Sequence, residues 1–350
     1  MIIIETYNLF RKQLRKHLNI FHSYNICKKL FYKHSKTYYL GSCFFSFIHF
    51  KHICALYGFV RVIDDIVDSD MTQQEKTDKF TKMKRDCYFL FKIKNILLDT
   101  GLDKKEIIEI LTEDCEIWNN KHPIFRAFIT TCIYIEIEDT MIERFINSME
   151  KDLTKFVYNT EEELLKYVDG SAMVIGEIML KNMLHTSIHS EIYKTAFYNK
   201  NKEYARTLGY AFQYTNFIRD FDEDRRMTPS RFYLMTENND TIENKEQFRK
   251  FIKKNVDYNW ELYEKANLGI SNLYDIDFSI GNGISISKIL YSGILKKIEN
   301  NDYDISERRH LTSKEKIKII KKMLSVWEII TLFINYIIYT YFFRLVFLLF

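Results

Sequence analysis

Apolar residues recur at three- and four-residue steps through 46–68, 105–118, 140–157, 161–182, 202–224, 245–268 and 284–300, with breaks containing Asn, Asp or Gly between them. That period belongs to a helix that turns one face toward a core, so each stretch is predicted to be helical. The interval 225–243 loses the period at Pro229 and Asn238-Asn239-Asp240 and reads as a loop after the most acidic helix end. No internal repeat or glycine-rich linker divides the chain, which favours one helical domain over two. Its bounds are set at 21–322, after an extension over 1–20 and before a hydrophobic tail over 323–350.

Composition narrows the class. A chain of 350 residues can bury a large core, and 47% hydrophobic with 28% charged residues excludes a disordered or collagen-like chain. Ten Gly and two Pro are too few to turn a many-stranded sandwich. A net charge of +4 supplies no footprint for nucleic acid, and none is expected as a partner. Six cysteines (Cys27, Cys43, Cys54, Cys87, Cys115, Cys132) form no C-x-x-C pair, which fits buried thiols in a reducing compartment. The first 34 residues hold Glu5 as their sole acid, as a transit peptide could, but Phe21, Tyr24, Leu30 and Phe31 at helix-like spacing place them with the fold. His17, His22, His49 and His52 have no metal-ligand partner set and read as core or surface histidines.

The C-terminus differs in kind. Ile329–Phe350 spans 22 residues with one charge, Arg344, and follows Lys314, Lys316, Lys318, Lys321 and Lys322. About 20 apolar residues cross a bilayer as a helix, with lysines on the cytoplasmic side, so the tail reads as a membrane anchor with the catalytic domain at the cytoplasmic face. The alternatives are a last core helix, since Thr331, Asn335 and Thr340 dilute the segment, or an interfacial or partner-packing one, which its Tyr and Phe content would suit.

Two acidic clusters carry the chemistry. Arg61, Asp64, Asp65 and Asp68 fall at i, i+3, i+4 and i+7, on one helix face, while Val60, Ile63 and Val67 turn elsewhere. In 213–224, Asn216, Arg219, Asp220, Glu223 and Asp224 form a second such face. Like charges at these spacings repel by a few tenths of a kcal/mol per pair, so two stripes embedded in apolar sequence ask for a compensating cation. Hard oxygen donors suit Mg²⁺, which leaves most of its shell to water and substrate phosphate. A diphosphate is therefore the expected ligand. Either cluster alone would read as a solvated acidic face.

At these residues the sequence resembles the squalene/phytoene synthase family of trans head-to-head prenyl diphosphate synthases. His34-Ser35-Lys36-Thr37-Tyr38-Tyr39-Leu40 is similar to its S-K-[ST]-[FY] segment, and Ala55 to Arg61 leads into the first Asp motif as it does there. Gln213 to Asp224 is similar to its Q-x-T-N-x-x-R-D-x-x-E-D, and Met149 to Leu153, Glu163 to Tyr167 and Gly170 to Gly176 resemble its middle segments. Tyr291, Tyr303-Asp304 and Arg308-Arg309 extend the likeness to about residue 322.

The resemblance implies an all-α, isoprenoid-synthase-like single-domain bundle, with the two Asp helices facing across a central cavity. It implies that Asp64, Asp68, Asn216, Asp220 and Asp224 hold two or three Mg²⁺ ions. Asp64, Asp68, Asp220, Asp224 and Arg61 are then the catalytic set. His34, Ser35, Lys36, Thr37, Tyr57, Arg61, Gln213, Arg219, Tyr291 and Arg308 would contact the prenyl diphosphates or order the metal shell. The 28 Phe and 24 Tyr could line a dry pocket for a carbocation. The details favour geranylgeranyl diphosphate as substrate and phytoene as product, in carotenoid biosynthesis, without NADPH. The alternatives are squalene or dehydrosqualene synthesis from farnesyl diphosphate, and an inactive membrane scaffold. Downstream isoprenoid enzymes would be partners.

The chain also departs from the family pattern. Asp169 stands where a tyrosine is usual, leaving Tyr167 as the substitute, and Ser46-Phe47-Ile48-His49-Phe50 and Met235 replace a proline-arginine pair and a proline. Those changes bear on substrate length more than on chemistry.

Overall fold

The computed structural model describes residues 19–112, 123–234 and 244–324. It is all-α, as expected. The helices are α1 (19–34), then α2 (Lys36–Ser42), α3 (Phe47–Val67), α4 (Gln73–Leu98), α5 (Lys104–Thr112), α6 (Pro123–Tyr134), α7 (Asp139–Lys151) and α8 (Glu161–Val168). A π-helical turn (Asp169–Met173) precedes α9 (Val174–His185), α10 (Glu191–Asp224), α11 (Lys245–Leu273), α12 (Phe278–Asn300) and α13 (Ser313–Met323). Among the described residues the only extended pairing is an isolated parallel bridge between Val157 and Phe232. Also among them, no helix is long and apolar enough to cross a membrane. The proposed anchor over Ile329–Phe350 lies outside the described residues, as do Met235 and Cys115.

Caps explain several boundaries. Thr72 and Glu75 form a reciprocal capping box at the start of α4, and Thr312 and Glu315 do the same for α13. Asp277 accepts from the Ser279 and Ile280 amides, which starts α12 at Phe278, six residues before the apolar period becomes legible at 284. α7 ends at Lys151 rather than continuing to 157, because the chain straightens to pair Val157 with Phe232. α4 and α6 have no counterpart among the predicted stretches. α4 is largely polar and buries only a narrow row that includes Phe80, Met83, Cys87 and Leu90, while α6 is buried nearly all round and so shows no alternation.

The chain gathers into two compact units: residues 1–36, 51–155 and 169–186 form the first, and 37–50, 156–168 and 187–350 the second. In the first, Phe59 stacks on Phe128 with ring centroids 3.7 Å apart and tilts against Phe145, so α3, α6 and α7 share an aromatic core. Cys27 and Phe31 of α1 are fully buried, so this stretch belongs to the fold, as its spacing implied. The described cysteines are free thiols. In the second unit α10 packs on α11 and α12, and α13 closes over Phe44, Ile286, Leu290 and Leu311.

Candidate functional site

In the first unit, α3 carries Arg61, Asp64 and Asp65, and Asp68 follows its last residue with its amide donating to the Asp64 carbonyl at 2.8 Å, which keeps the stripe continuous. Ile63 and Val67 are buried while Asp65 and Asp68 face outward and Asp64 lies half-buried between them. Arg61 is drawn to Asp65 one turn on, and the pair forms an ion pair within the helix. That leaves Asp64 beside Asp68. Burial, and then the Asp68 carboxylate, push the Asp64 carboxyl up to about 7 against the pull of Arg61. Tyr57, one turn earlier, stacks on Phe31 at 4.2 Å and hydrogen-bonds Ser35. Burial raises its phenol to about 12, with Asp64 and Asp65 adding to the shift and Arg61 opposing it. His34 is exposed near Arg61, and burial followed by the Arg61 charge lowers its imidazole. His34, Ser35, Tyr57, Arg61, Asp64 and Asp68 therefore lie near one another in the first unit. Lys36 and Thr37 open α2.

In the second unit, the last turns of α10 carry the other cluster. Arg219 forks Asp220 through Nε at 2.7 Å and Nη2 at 2.5 Å. Arg308, from the segment after α12, adds a second fork to the same carboxylate, with Nε 2.9 Å from Oδ1 and Nη2 3.2 Å from Oδ2. Burial works against a charged Arg219, but Tyr291 and the Asp220 carboxylate outweigh it and hold the guanidinium above its usual value. The Tyr291 hydroxyl donates to Asn216 Oδ1, and Asn216 Nδ2 donates to Gln213 Oε1 at 3.2 Å. Asp224 closes α10, where its carbonyl accepts from the Arg231 amide at 2.9 Å. A pocket of about 330 Å³ opens here, lined among others by Arg219, Glu223, Arg226, Ile305 and Arg308. Three guanidinium groups line it together with the Asp222 and Glu223 carboxylates, and each guanidinium is paired with an acid: Arg219 and Arg308 with Asp220, Arg226 with Asp222.

Aromatic rings surround the second cluster. Tyr38 stacks on Tyr291 at 4.4 Å, and Phe212 meets Tyr291 edge-on at 5.0 Å. Burial and the neighbouring Tyr291 push the Tyr38 phenol well above its usual range, so it stays neutral. Tyr233 stacks on Phe217 at 4.5 Å and on Tyr158 and Tyr167 at 5.6 Å, forming a ladder of rings anchored by the bridge at Phe232. Tyr167, the named substitute for the absent tyrosine, is thus a buried member of that ladder.

Sequence reasoning passed over three groups. Asp222 is buried and holds Arg225 and Arg226, each at 2.5 Å. Their i+3 and i+4 spacing was the available signal. Tyr38 fills the aromatic position of the S-K-[ST]-[FY] segment, but no spacing pointed to its partners, which lie far along the chain. In the first unit Arg144 forks Asp169 at 2.9 and 2.7 Å and reaches Glu177 at 3.0 Å. This network fixes the π-helical turn that Asp169 opens. Ser46 Oγ lies 2.8 Å from His49 Nδ1, and Phe50 meets Tyr39 edge-on at 5.5 Å, which shows how the departing segment 46–50 is held.

Among the described residues, no group of three or more His, Cys, Asp or Glu side chains converges as a metal cage. The donor set nonetheless suits Mg²⁺, which takes one or two carboxylates and fills its shell with water and phosphate. Asp64 beside Asp68, with Arg61 committed to Asp65, is such a pair. Asp220 is instead neutralised by two arginines, so an ion there would have to displace one of them.

A family model described as squalene/phytoene synthase matches residues 31–316. The phytoene synthase of Arthrospira platensis is 25% identical over 302 residues, covering 82% of this chain and 87% of its own length. The 4,4'-diapophytoene synthase of Staphylococcus haemolyticus is 24% identical over 317 residues, covering 86% of this chain and 96% of its own. A dehydrosqualene synthase solved in complex with ligand shares the fold at a TM-score of 0.65 and 18% identity, over 88% of this chain and 97% of that one. The squalene synthase of Alicyclobacillus acidocaldarius does so at 0.61 and 17%, over 82% and 97%. The chain belongs to the squalene/phytoene synthase family, whose members are prenyltransferases that condense prenyl diphosphates head to head.

Proposed function

We propose that this prenyltransferase condenses two molecules of geranylgeranyl diphosphate to phytoene by way of a cyclopropylcarbinyl diphosphate. The observation that carries the reading is the pair of acidic helix faces, Asp64/Asp68 and Asn216/Asp220/Asp224, each accompanied by an arginine. The Asp64/Asp68 face is suited to hold Mg²⁺, which would offset charge gathering on a departing diphosphate, and the Asp220 face would take an ion once Arg219 or Arg308 turned to the diphosphate instead. Arg219 and Arg308 supply guanidinium forks for diphosphate oxygens. Arg61 and Tyr57 order the carboxylates of α3, and Tyr291 and Gln213 fix the orientation of Asn216.

The first half-reaction breaks the allylic C–O bond of the donor, and its diphosphate leaves. The acceptor double bond attacks the cation, and loss of one proton closes the cyclopropane ring. The second half-reaction expels the remaining diphosphate, rearranges the ring and loses another proton, so neither step calls for a reductant. Aromatic rings suit the cationic stages, since ring faces attract positive charge and exclude water; the ladder of Tyr158, Tyr167, Tyr233 and Phe217 is itself buried, ring on ring. Phytoene synthases among the relatives support the twenty-carbon substrate.

A second reading has a specific observation behind it. The diapophytoene synthase relative and the dehydrosqualene synthase fold match favour condensation of the fifteen-carbon farnesyl diphosphate. Incubation of the protein with Mg²⁺ and either diphosphate, with and without NADPH, separates the two by product. Phytoene without NADPH bears out the proposal. A thirty-carbon hydrocarbon moves the chain to the second reading, and no product with no Mg²⁺-dependent diphosphate binding leaves an inactive scaffold.

A further inference from the structure

We propose that the outward face of α13 is a docking surface for an anionic phospholipid bilayer. At 100° per residue, Lys314, Ile317, Lys318, Lys321 and Lys322 fall within an arc of about 140°, and all five are exposed. The opposite side of the helix, with Ile319, Ile320 and Met323, packs on the core beside Phe44 and Leu290. The helix is therefore fixed with its lysines outward.

The one acid in α13 does not balance them. Glu315 pairs with Lys297 at 2.9 Å and accepts from the Thr312 amide and hydroxyl at 2.7 and 2.8 Å. Among the described residues no acid pairs with Lys314, Lys318, Lys321 or Lys322. Four like charges at i+3 and i+4 spacing repel one another, and an anionic surface would relieve the repulsion. Ile317 stands 52% exposed among them. An apolar side chain between cations suits the boundary between headgroups and acyl chains, and the face offers no aromatic ring on which a base could stack. The chain also continues beyond α13 into Ile329–Phe350, 22 residues with Arg344 as the sole charge, a composition that a bilayer accepts. The proposal goes beyond the reaction and stands without it.

The full-length protein is to be co-sedimented with vesicles of phosphatidylcholine alone and with vesicles in which about a third of the lipid is phosphatidylserine, across a salt series. We expect partition onto the anionic vesicles to be at least about tenfold higher and to fall with salt. The combined Lys314→Gln, Lys318→Gln, Lys321→Gln, Lys322→Gln variant should lose that preference while keeping its circular dichroism. Reversing only Lys318→Glu and Lys322→Glu should weaken partition as well. Equal partition onto both vesicle types, indifferent to salt and to the substitutions, would assign binding to the apolar C-terminal segment and overturn the proposal. No binding to either vesicle would overturn it too.

Discussion

Arg308 and Arg219 share one carboxylate: Asp220 accepts a fork from each, although Arg308 lies 88 residues further along the chain. A diphosphate offers the same geometry with more charge, so Asp220 occupies the arginines as a substrate oxygen would. Replacing Arg308 with Gln removes one charge-assisted fork, worth about 1.5–3 kcal/mol. The expected result is a KM for prenyl diphosphate raised roughly tenfold or more, read from diphosphate release. An unchanged KM would remove Arg308 from the site.

Asp64→Asn and Asp220→Asn should each lower turnover by about two to three orders of magnitude, the scale of losing one electrostatic stabiliser of a developing charge. The folded state should survive both, since the substitutions are nearly isosteric. Steady-state rates over a Mg²⁺ titration check this, and full activity in both variants would sink the metal assignment.

With its carboxyl raised to about 7 in the fold against its ordinary 3.8, Asp64 binds more protons folded than unfolded between those limits. Stability therefore falls as pH rises from about 4 to about 7, and the ionised group is a standing cost above that range. Asp64→Asn removes the cost. The variant should match the parent near pH 4 and exceed it by about 2 kcal/mol at pH 8, less than the full shift because the carboxyl is partly solvated. Urea titrations at several pH values provide the measurement. Added Mg²⁺ should narrow the gap at pH 8 by stabilising the parent.

A Cβ at Gly170 would lie 2.2 Å from both the Arg144 carbonyl oxygen and Ser148 Oγ. The first contact is with backbone and cannot swing away. Gly170→Ala should thus destabilise the protein by about 2–3 kcal/mol through overpacking of α7 on the π-helical turn. A variant as stable as the parent would show that α7 can shift.

Asp277 accepts two amides at the start of α12, and its carboxyl is held low by the Ser279 side chain, those amides and the His49 charge, which outweigh burial. Asp277→Ala should cost about 1 kcal/mol at neutral pH. A lowered acid contributes its stability above its unfolded value and loses it as pH falls through the folded one. The difference between variant and parent should shrink in acid, as paired thermal melts would report.

What the sequence determined by itself was local. The period of three and four residues marked most helices, and the same period set Asp64 over Asp68 and Asn216 over Asp220, because a helix fixes the positions of residues one turn apart. It also gave Arg61 to Asp65. Only the tertiary structure decided which distant groups meet: Arg308 with Asp220, Tyr291 with Asn216, Tyr38 with Tyr291, and Arg144 with Asp169. No spacing rule reaches across 75 or 88 residues, since such pairings follow from how helices pack and not from where they begin. The same reason hid α6, whose burial on all sides erases alternation, and ended α7 early, where pairing of Val157 with Phe232 overrode a helical pattern. The two carboxylate faces were legible because their members lie one turn apart, as were Arg61 and Arg219 beside them, whereas the second fork on Asp220 comes from Arg308, which the fold alone delivers.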